Sequence, residues 1–373
     1  GYVHAKPGID GVYAVSNFFT FFDPAIPGHI ESQKQYGTVP WWIYENVKLS
    51  FFRPVSAFTH WLDYQLWPDS PEMMHLQNLI WMALWLLVAG LLYRRFIGAV
   101  PAAGLAASFF VLDLSYALTV GRIANRNALI ATTFGLLTIY LHDKWRKSGS
   151  IKYAILTQLI FVVTLLSAEA GLAVTAYLFA YAVCLESGNW WQRLRTLIPT
   201  AIITVVWRAV YVMLGYGAAN TGMYIDPGRD PVRFLWALIE RGPILLFSQF
   251  FMIEDFTPAM SLEFKLQVWL LLVIVLVLLG VVFYPLFRSN KVARFMMLGA
   301  LVAVIPLPAY GLPQGRLLTF VSFGAMGFLA IFITGLTKKG WVSEWSMWRV
   351  PARLFGGLFL FMHGPHDCSG TAD

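Results

Sequence analysis

Positive charge in this chain is concentrated in short connectors that separate apolar runs long enough to cross a bilayer. Fifteen of the 27 lysines and arginines fall in five such connectors: Arg94/Arg95; Lys144, Arg146, Lys147 and Lys152; Arg193/Arg195; Arg288, Lys291 and Arg294; and Lys338, Lys339, Arg349 and Arg353. A hydrocarbon core about 30 Å thick takes roughly 20 apolar residues per helix, and cationic connectors stay on the cytoplasmic side. The alternation predicts a polytopic membrane protein with two distinguishable faces. It also narrows the search for chemistry to the few charged residues left on the other face.

Composition agrees with this class. Hydrophobic residues make up 58% of the chain and charged residues 13%, against about 25% charged in a soluble domain. The net charge of +7 does not point to nucleic acid. The cations sit beside Trp145, Trp190, Trp191, Trp341, Trp345 and Trp348, the pattern of anionic headgroups and an interfacial aromatic belt. The partners expected are therefore membrane lipids. Of the two cysteines, Cys184 and Cys368, the first lies inside an apolar run, so no disulfide framework is implied. The chain opens at Gly1 without a leader-like run, and its last apolar run, Leu354 to Met362, is short. Both ends read as cuts in a longer protein.

The expected fold is all-α: one polytopic transmembrane bundle over 1–373, with about nine to eleven membrane helices plus helices lying on the outer face. Residues 1–73 form an outer segment in which Phe52 to Trp67 reads as an interfacial helix with a polar edge at Ser56, His60 and Asp63. The bundle occupies 74–363, with spans near 75–93, 98–118, 127–142, 153–168, 170–186, 196–215, 266–287, 293–309 and 315–336, before a polar tail at 364–373. Starting from Arg94/Arg95 inside, the alternation puts 119–126, the turn at 168–170, 216–265 and 310–316 outside. Arg241-Gly242-Pro243 interrupts the apolar stretch over 232–253. Proline disfavours a continuous helix, so two short re-entrant or interfacial helices are expected there.

Ionisable groups at membrane depth usually face a cavity or a partner. Arg122, Asn125, Arg126 and Asn127 share one outer connector. Guanidinium forks and amide donors suit phosphate oxygens, although the same side chains also cap helix ends and snorkel to water. Glu169, in the tight turn Ser167-Ala-Glu-Ala-Gly171, reads either as a group orienting an arginine or a bound hydroxyl, or as a carboxylate favoured by a helix dipole. Arg316 stands at the outer start of a span, where a cation calls for an anion. Arg53, His60 and Asp63 belong to the interfacial helix, and His60 and Asp63 share a face. That pair serves proton transfer or a local hydrogen bond. No second His or Cys stands at ligand spacing to His60, so no metal is expected, nor any other cofactor.

Several stretches together resemble the GT-C glycosyltransferases, including the membrane half of the protein O-mannosyltransferase-like TPR proteins. They are Phe52-Arg-Pro-Val-Ser56, Leu62-Asp-Tyr64 and His75-Leu-Gln-Asn78 opening a span that ends in Tyr93-Arg-Arg95; then Gly121-Arg-Ile-Ala-Asn-Arg-Asn127, Ser167-Ala-Glu169 and Pro313-Gln-Gly-Arg-Leu-Leu318. The resemblance implies an enzyme of the bacterial inner (plasma) membrane that transfers a sugar from a polyprenyl-phosphate donor to an acceptor on the outer face. It implies an acid of the first outer loop as general base and cations that hold the leaving lipid phosphate, for which Arg122, Arg126 and Arg316 are the candidates. Gly1-Tyr-Val-His4 is similar to the end of the family's Asp-Asp-x-x-His run, which assigns His4 to the site alongside Glu169. The relatives' lysine before that glutamate is Ala168 here. Two other classes stand beside this one: a transporter or flippase of an anionic lipid or polymer, and a non-catalytic membrane scaffold. Transporters tend to interrupt spans at matching positions of two halves, and Arg241-Gly242-Pro243 has no counterpart in the first half.

Overall fold

In hydrocarbon every backbone N–H and C=O must find its partner within the segment, which makes helices the economical solution for apolar runs of this length. A computed structural model describes residues 18–37, 39–113, 117–222, 224–252, 262–310, 317–337 and 348–364. In chain order, β1 (Thr20–Phe22), α1 (His29–Gln35), β2 (Lys48–Ser50) and α2 (Pro54–Leu66) precede the long helices. There follow α3 (Pro71–Ile97), α4 (Val100–Leu112), α5 (Ala117–Gly121), α6 (Arg126–Ser148), α7 (Ile151–Ser167), α8 (Val174–Cys184), α9 (Trp190–Leu194) and α10 (Ile198–Met213). After β3 (Gly217–Ala219) come α11 (Pro231–Phe251), α12 (Leu262–Ser289), α13 (Lys291–Ala303), α14 (Thr319–Thr337) and α15 (Arg349–His363).

Prolines mark many of the helix starts. α2, α3, α4, α10 and α11 each carry one in the first turn, where the missing N–H would have had no intrahelical partner anyway. Gly98 and Gly149 follow α3 and α6 with φ of +73° and +67°, a conformation that costs other residues a steric penalty. The result is an all-α bundle in which six helices of the described residues are long and apolar enough to cross a membrane: Pro71–Ile97, Trp190–Met213, Pro231–Phe251, Glu263–Ser289, Lys291–Ala309 and Thr319–Thr337. α4, α7 and the Glu169–Cys184 stretch are apolar but shorter.

α14 is the axis of this bundle, with every residue from Thr319 to Ile333 buried. α3, α4, α8 and α13 pack around it, while α12 faces outward with Leu270, Leu271, Ile274, Val277 and Leu278 exposed. Such a surface suits acyl chains and not water. Without a hydrophobic drive between helices in lipid, close approach rests on small residues and polar ties. A Cβ on Gly324 would lie 2.3 Å from the Met296 carbonyl oxygen, and one on Gly299 would lie 2.4 Å from the Tyr177 ring. The Tyr93 hydroxyl donates to the Phe323 carbonyl at 2.7 Å, and that of Tyr177 donates to the Phe320 carbonyl.

Two features depart from the sequence expectation. A small antiparallel sheet in the order β1-β2-β3 joins Thr20–Phe22, Lys48–Ser50 and Gly217–Ala219, so the segment before α2 is stitched to the connector after α10. The two helices expected over 232–253 are one helix, α11, with Pro243 inside it. The helix continues because proline removes only one of its hydrogen bonds. The Arg241 side chain next to the interruption donates to the carbonyls of Pro308 (2.9 Å) and Tyr310 (3.3 Å). Lys265 near the start of α12 pairs with Glu240 midway along α11, and Phe283, farther along α12, meets Phe250, farther along α11. The two helices therefore run in the same direction from one end of the molecule.

Gly324→Ala and Gly299→Ala should each destabilise the bundle by about 1–3 kcal/mol, read as a lower thermal midpoint in detergent. Gly280→Ala, where an added Cβ meets nothing within 4 Å, should leave the midpoint unchanged. Equal effects at the three positions would show that close approach around α14 is not what the glycines provide.

Candidate functional site

Two arginines organise the end of the bundle that carries the α7–α8 turn. Arg126, at the start of α6, has no exposed surface. Its Nε donates to Asn78 Oδ1 at 2.6 Å, Nη2 to the Met74 carbonyl at 2.8 Å, and Nη1 to Asp63 Oδ2 at 2.5 Å. Nη1 also reaches Gln77 Oε1, and the Thr59 carbonyl at 3.4 Å. Asp63 is 1% exposed, so this is a fully desolvated ion pair binding α2, α3 and α6 together. All three guanidinium nitrogens are engaged within the protein. The phosphate-holding role expected of Arg126 is not open to it, because a lipid phosphate would have to displace Asp63.

Arg53, immediately before α2, makes the second centre. Its Nε and Nη2 both stand 2.7 Å from Glu169 Oε2, and its guanidinium carbon lies 4.2 Å over the Phe51 ring and 5.1 Å from that of Phe19. Turned so that its nitrogen donates to the Ala124 carbonyl, the Asn127 amide accepts from Arg53 Nη1 at 3.3 Å. The Tyr211 hydroxyl donates to Glu169 Oε1 at 3.2 Å. The Arg53 and Glu169 side chains keep 16% and 25% of their surface exposed. A shallow, water-accessible charge pair thus sits beside the deep one.

A further pair flanks Arg53–Glu169. Arg208, near the end of α10, grips Asp226 through Nη2 at 2.8 and 2.6 Å and stacks 5.6 Å over the Tyr211 ring. Burial alone would raise the Asp226 carboxyl, but Arg208 and the Gly228 amide hold it below its ordinary value. Beyond it Lys48 stands 3.6 Å from Asp23. Burial, with the Asp23 charge added, pushes the nearby Tyr216 phenol up. The surface between these pairs is aromatic: Tyr211 meets Tyr216, Tyr216 meets Phe52, and Phe51 meets Tyr224. Alternating hydrogen-bonding groups and ring faces suit a polyhydroxylated ligand better than an apolar one.

The sequence-predicted residues are distributed as follows. Arg53 and Glu169 are in contact; Asp63 contacts Arg126 and not His60, whose ring lies 5.8 Å from that of Phe19. Arg122 is exposed at the connector before α6, and Asn125 is half-buried beside it. His4 and Arg316 lie outside the described residues. Sequence reasoning missed Tyr211, the Arg208–Asp226 pair and the Asp23–Lys48 pair. Arg208 carried a signal, since a lone arginine within an apolar run calls for a partner, but the partner lies across a connector and has no spacing to reveal it. No protein-family model, curated protein or solved structure matches the chain.

Removing one member of a buried ion pair strands the other charge, at about 3–5 kcal/mol, whereas replacing both with apolar groups of similar size is often neutral. Asp63→Leu or Arg126→Met alone should sharply lower the thermal midpoint in detergent, and the double variant should recover most of the loss. Additive single effects would refute coupling. Burial and the Arg126 charge drop His60 from its ordinary 6.5 to about 3. The unfolded chain binds a proton at the higher pH and the folded chain resists it, so stability present above pH 6.5 is lost as pH falls toward 3. His60→Gln should flatten that loss in paired melts above and below pH 6.5; an unchanged slope would assign it to other groups.

Proposed function

We propose that the protein is a GT-C-like glycosyltransferase of a bacterial inner membrane, with about nine to eleven membrane helices, acting on a polyprenyl-phosphate sugar at its outer face. The observation that carries this reading is the Arg53–Glu169 contact. Arg53 belongs to the Phe-Arg-Pro-Val-Ser stretch, Asn127 beside it to the arginine-bearing connector, and Glu169 to the Ser-Ala-Glu turn. Three stretches that carry the family resemblance, far apart in sequence, meet at one exposed point, and two more, Leu-Asp-Tyr and His-Leu-Gln-Asn, meet at Arg126 just beneath.

In this reading an acceptor hydroxyl attacks the anomeric carbon. The bond from that carbon to the phosphate oxygen breaks, the lipid phosphate departs with the electron pair, and the hydroxyl's proton passes to the acid of the first outer loop that the resemblance implies as general base. Glu169 Oε1, already accepting from Tyr211, is the acceptor atom placed to orient the incoming hydroxyl. Arg122, exposed in the connector before α6, is the cation we assign to the lipid phosphate, with Arg316 of the late outer connector as its expected partner. The resemblance assigns His4 to the same site. Most of the rate comes from positioning and from charge fixed in advance.

The test is transfer of labelled sugar from a prenyl-phosphate donor by the full-length protein in liposomes. Glu169→Gln should lower turnover about 100-fold or more with the donor KM little changed. Arg122→Ala should raise the donor KM about tenfold, as expected for one lost charge-assisted contact. Label that crosses the bilayer without transfer would replace the enzyme reading with a transporter, and neither transfer nor movement would leave a scaffold.

A further inference from the structure

A second set of polar side chains lies inside the bundle, apart from the Arg53–Glu169 contact. Asp113 directly after α4, Gln249 in the last turn of α11, Ser322 in the first turn of α14 and His363 at the end of α15 are each exposed by 3% or less. At 1.5 Å of rise per residue, Asp113 stands roughly 20 Å from the start of the apolar helix α4, and a hydrocarbon core is about 30 Å thick. Asp113 Oδ2 accepts from Ser322 Oγ at 2.6 Å and from Gln249 Nε2 at 3.0 Å. The carbonyl of the next residue on α11, Phe250, lies 3.0 Å from His363 Nε2.

A carbonyl only accepts, so Nε2 carries the hydrogen of the neutral ring and Nδ1 holds the basic lone pair. That Nδ1 is buried without a hydrogen-bond partner, and so is Gln249 Oε1. Two orphaned acceptors on neighbouring side chains are costly in a dry interior, and ionisable groups at this depth mark functional positions. Burial acts most strongly on the His363 ring, and the Phe250 carbonyl and the Asp113 charge oppose it. The Tyr93 phenol of α3, which burial and then Tyr177 influence more, also stands within reach of that charge, its hydrogen committed to the Phe323 carbonyl. α14 contributes the Ser322 hydroxyl, α11 the Gln249 amide, and α12 the uncharged Phe283 ring packed on Phe250 and Phe359. Beside the His363 ring lies Phe109, which with Ser108, Leu360, Phe361 and Gly364 lines a groove between α4 and α15.

We propose that His363 Nδ1 is a proton-binding site in the membrane interior, with Asp113 as its counter-charge and Gln249 and Ser322 as positioning residues. The lone pair of Nδ1 takes a proton from hydronium, whose O–H bond breaks to leave water, and the Asp113 carboxylate balances the charge of the imidazolium. Binding the proton fastens α15 to α4 and α11 by charge as well as by packing. The site is separate from the Glu169 end and does not depend on the sugar-transfer reading.

The experiment is a pH titration of the full chain in nanodiscs, labelled with ¹⁵N-histidine, with His363→Gln identifying the resonances. His363 should pass from the neutral Nε2–H tautomer to the imidazolium as the pH is lowered. Asp113→Asn should weaken proton binding about tenfold or more, a shift of at least about one pH unit. Ser322→Ala removes a donor that disperses the carboxylate charge and should strengthen it. If one variant does not fold, the other carries the comparison with wild type. A His363 ring that keeps its neutral form wherever the native fold persists, or a titration unmoved by either substitution, overturns the proposal.

Discussion

A guanidinium with no exposed surface must find acceptors for its N–H groups before the helix that bears it can pack, and Arg126 draws them from two other segments. α2 supplies Asp63 and the Thr59 carbonyl, and α3 supplies Asn78, Gln77 and the Met74 carbonyl. In a low-dielectric surrounding the unpaired alternative costs several kcal/mol, so the three helices have one way to meet. This fixes the amphipathic helix α2 across the end of the bundle. Arg53, at its head, is thereby presented to the α7–α8 turn, and the Ser56 hydroxyl seals the same junction by donating to the Ser167 carbonyl at 2.8 Å.

Much of the architecture was legible because membrane solvation acts on short, local stretches. Apolar length, first-turn prolines and cationic connectors each announce themselves within about 20 residues, and the helices α3, α4, α6 to α8, α10 and α12 to α14 fall where those signals stand. The failures have a common cause. The β1-β2-β3 sheet pairs residues before α2 with residues after α10, and no local pattern encodes a partner that distant. Pro243 was read as a break because its local cost was visible, while the carbonyls of Pro308 and Tyr310 that hold Arg241 across the bundle were not.

The site was half legible for the same reason. Arg53, Arg126 and Glu169 stand out as charges where lipid is expected, yet nothing in their spacing says that Asp63 belongs to Arg126 and Glu169 to Arg53. At the opposite end the cations of the connectors are partly answered. Asp143 engages Arg95, Lys147 and the Tyr181 hydroxyl, and Glu186 engages Arg146. Both carboxylates are nearly buried there, so they knit α3, α6 and α8 and leave Arg94 and Lys152 exposed to anionic headgroups.

The Arg126–Asp63 and Arg53–Glu169 pairs are alike in chemistry and differ in exposure, and that difference divides their labour. Exchanging Asp63 for a ligand at Arg126 would leave a carboxylate stranded at 1% exposure, a change no lipid phosphate offsets without unpacking α2. Glu169, a quarter exposed, keeps access to water while Arg53 is held by two aromatic rings and Asn127. Its carboxylate can accept from an incoming hydroxyl without releasing its arginine, because Arg53 occupies one oxygen and Tyr211 fills only part of the other's capacity. A fold that places an immobile arginine beneath and a solvated one above separates holding the structure from meeting a ligand, and substitutions at the two should part accordingly into losses of stability and losses of activity.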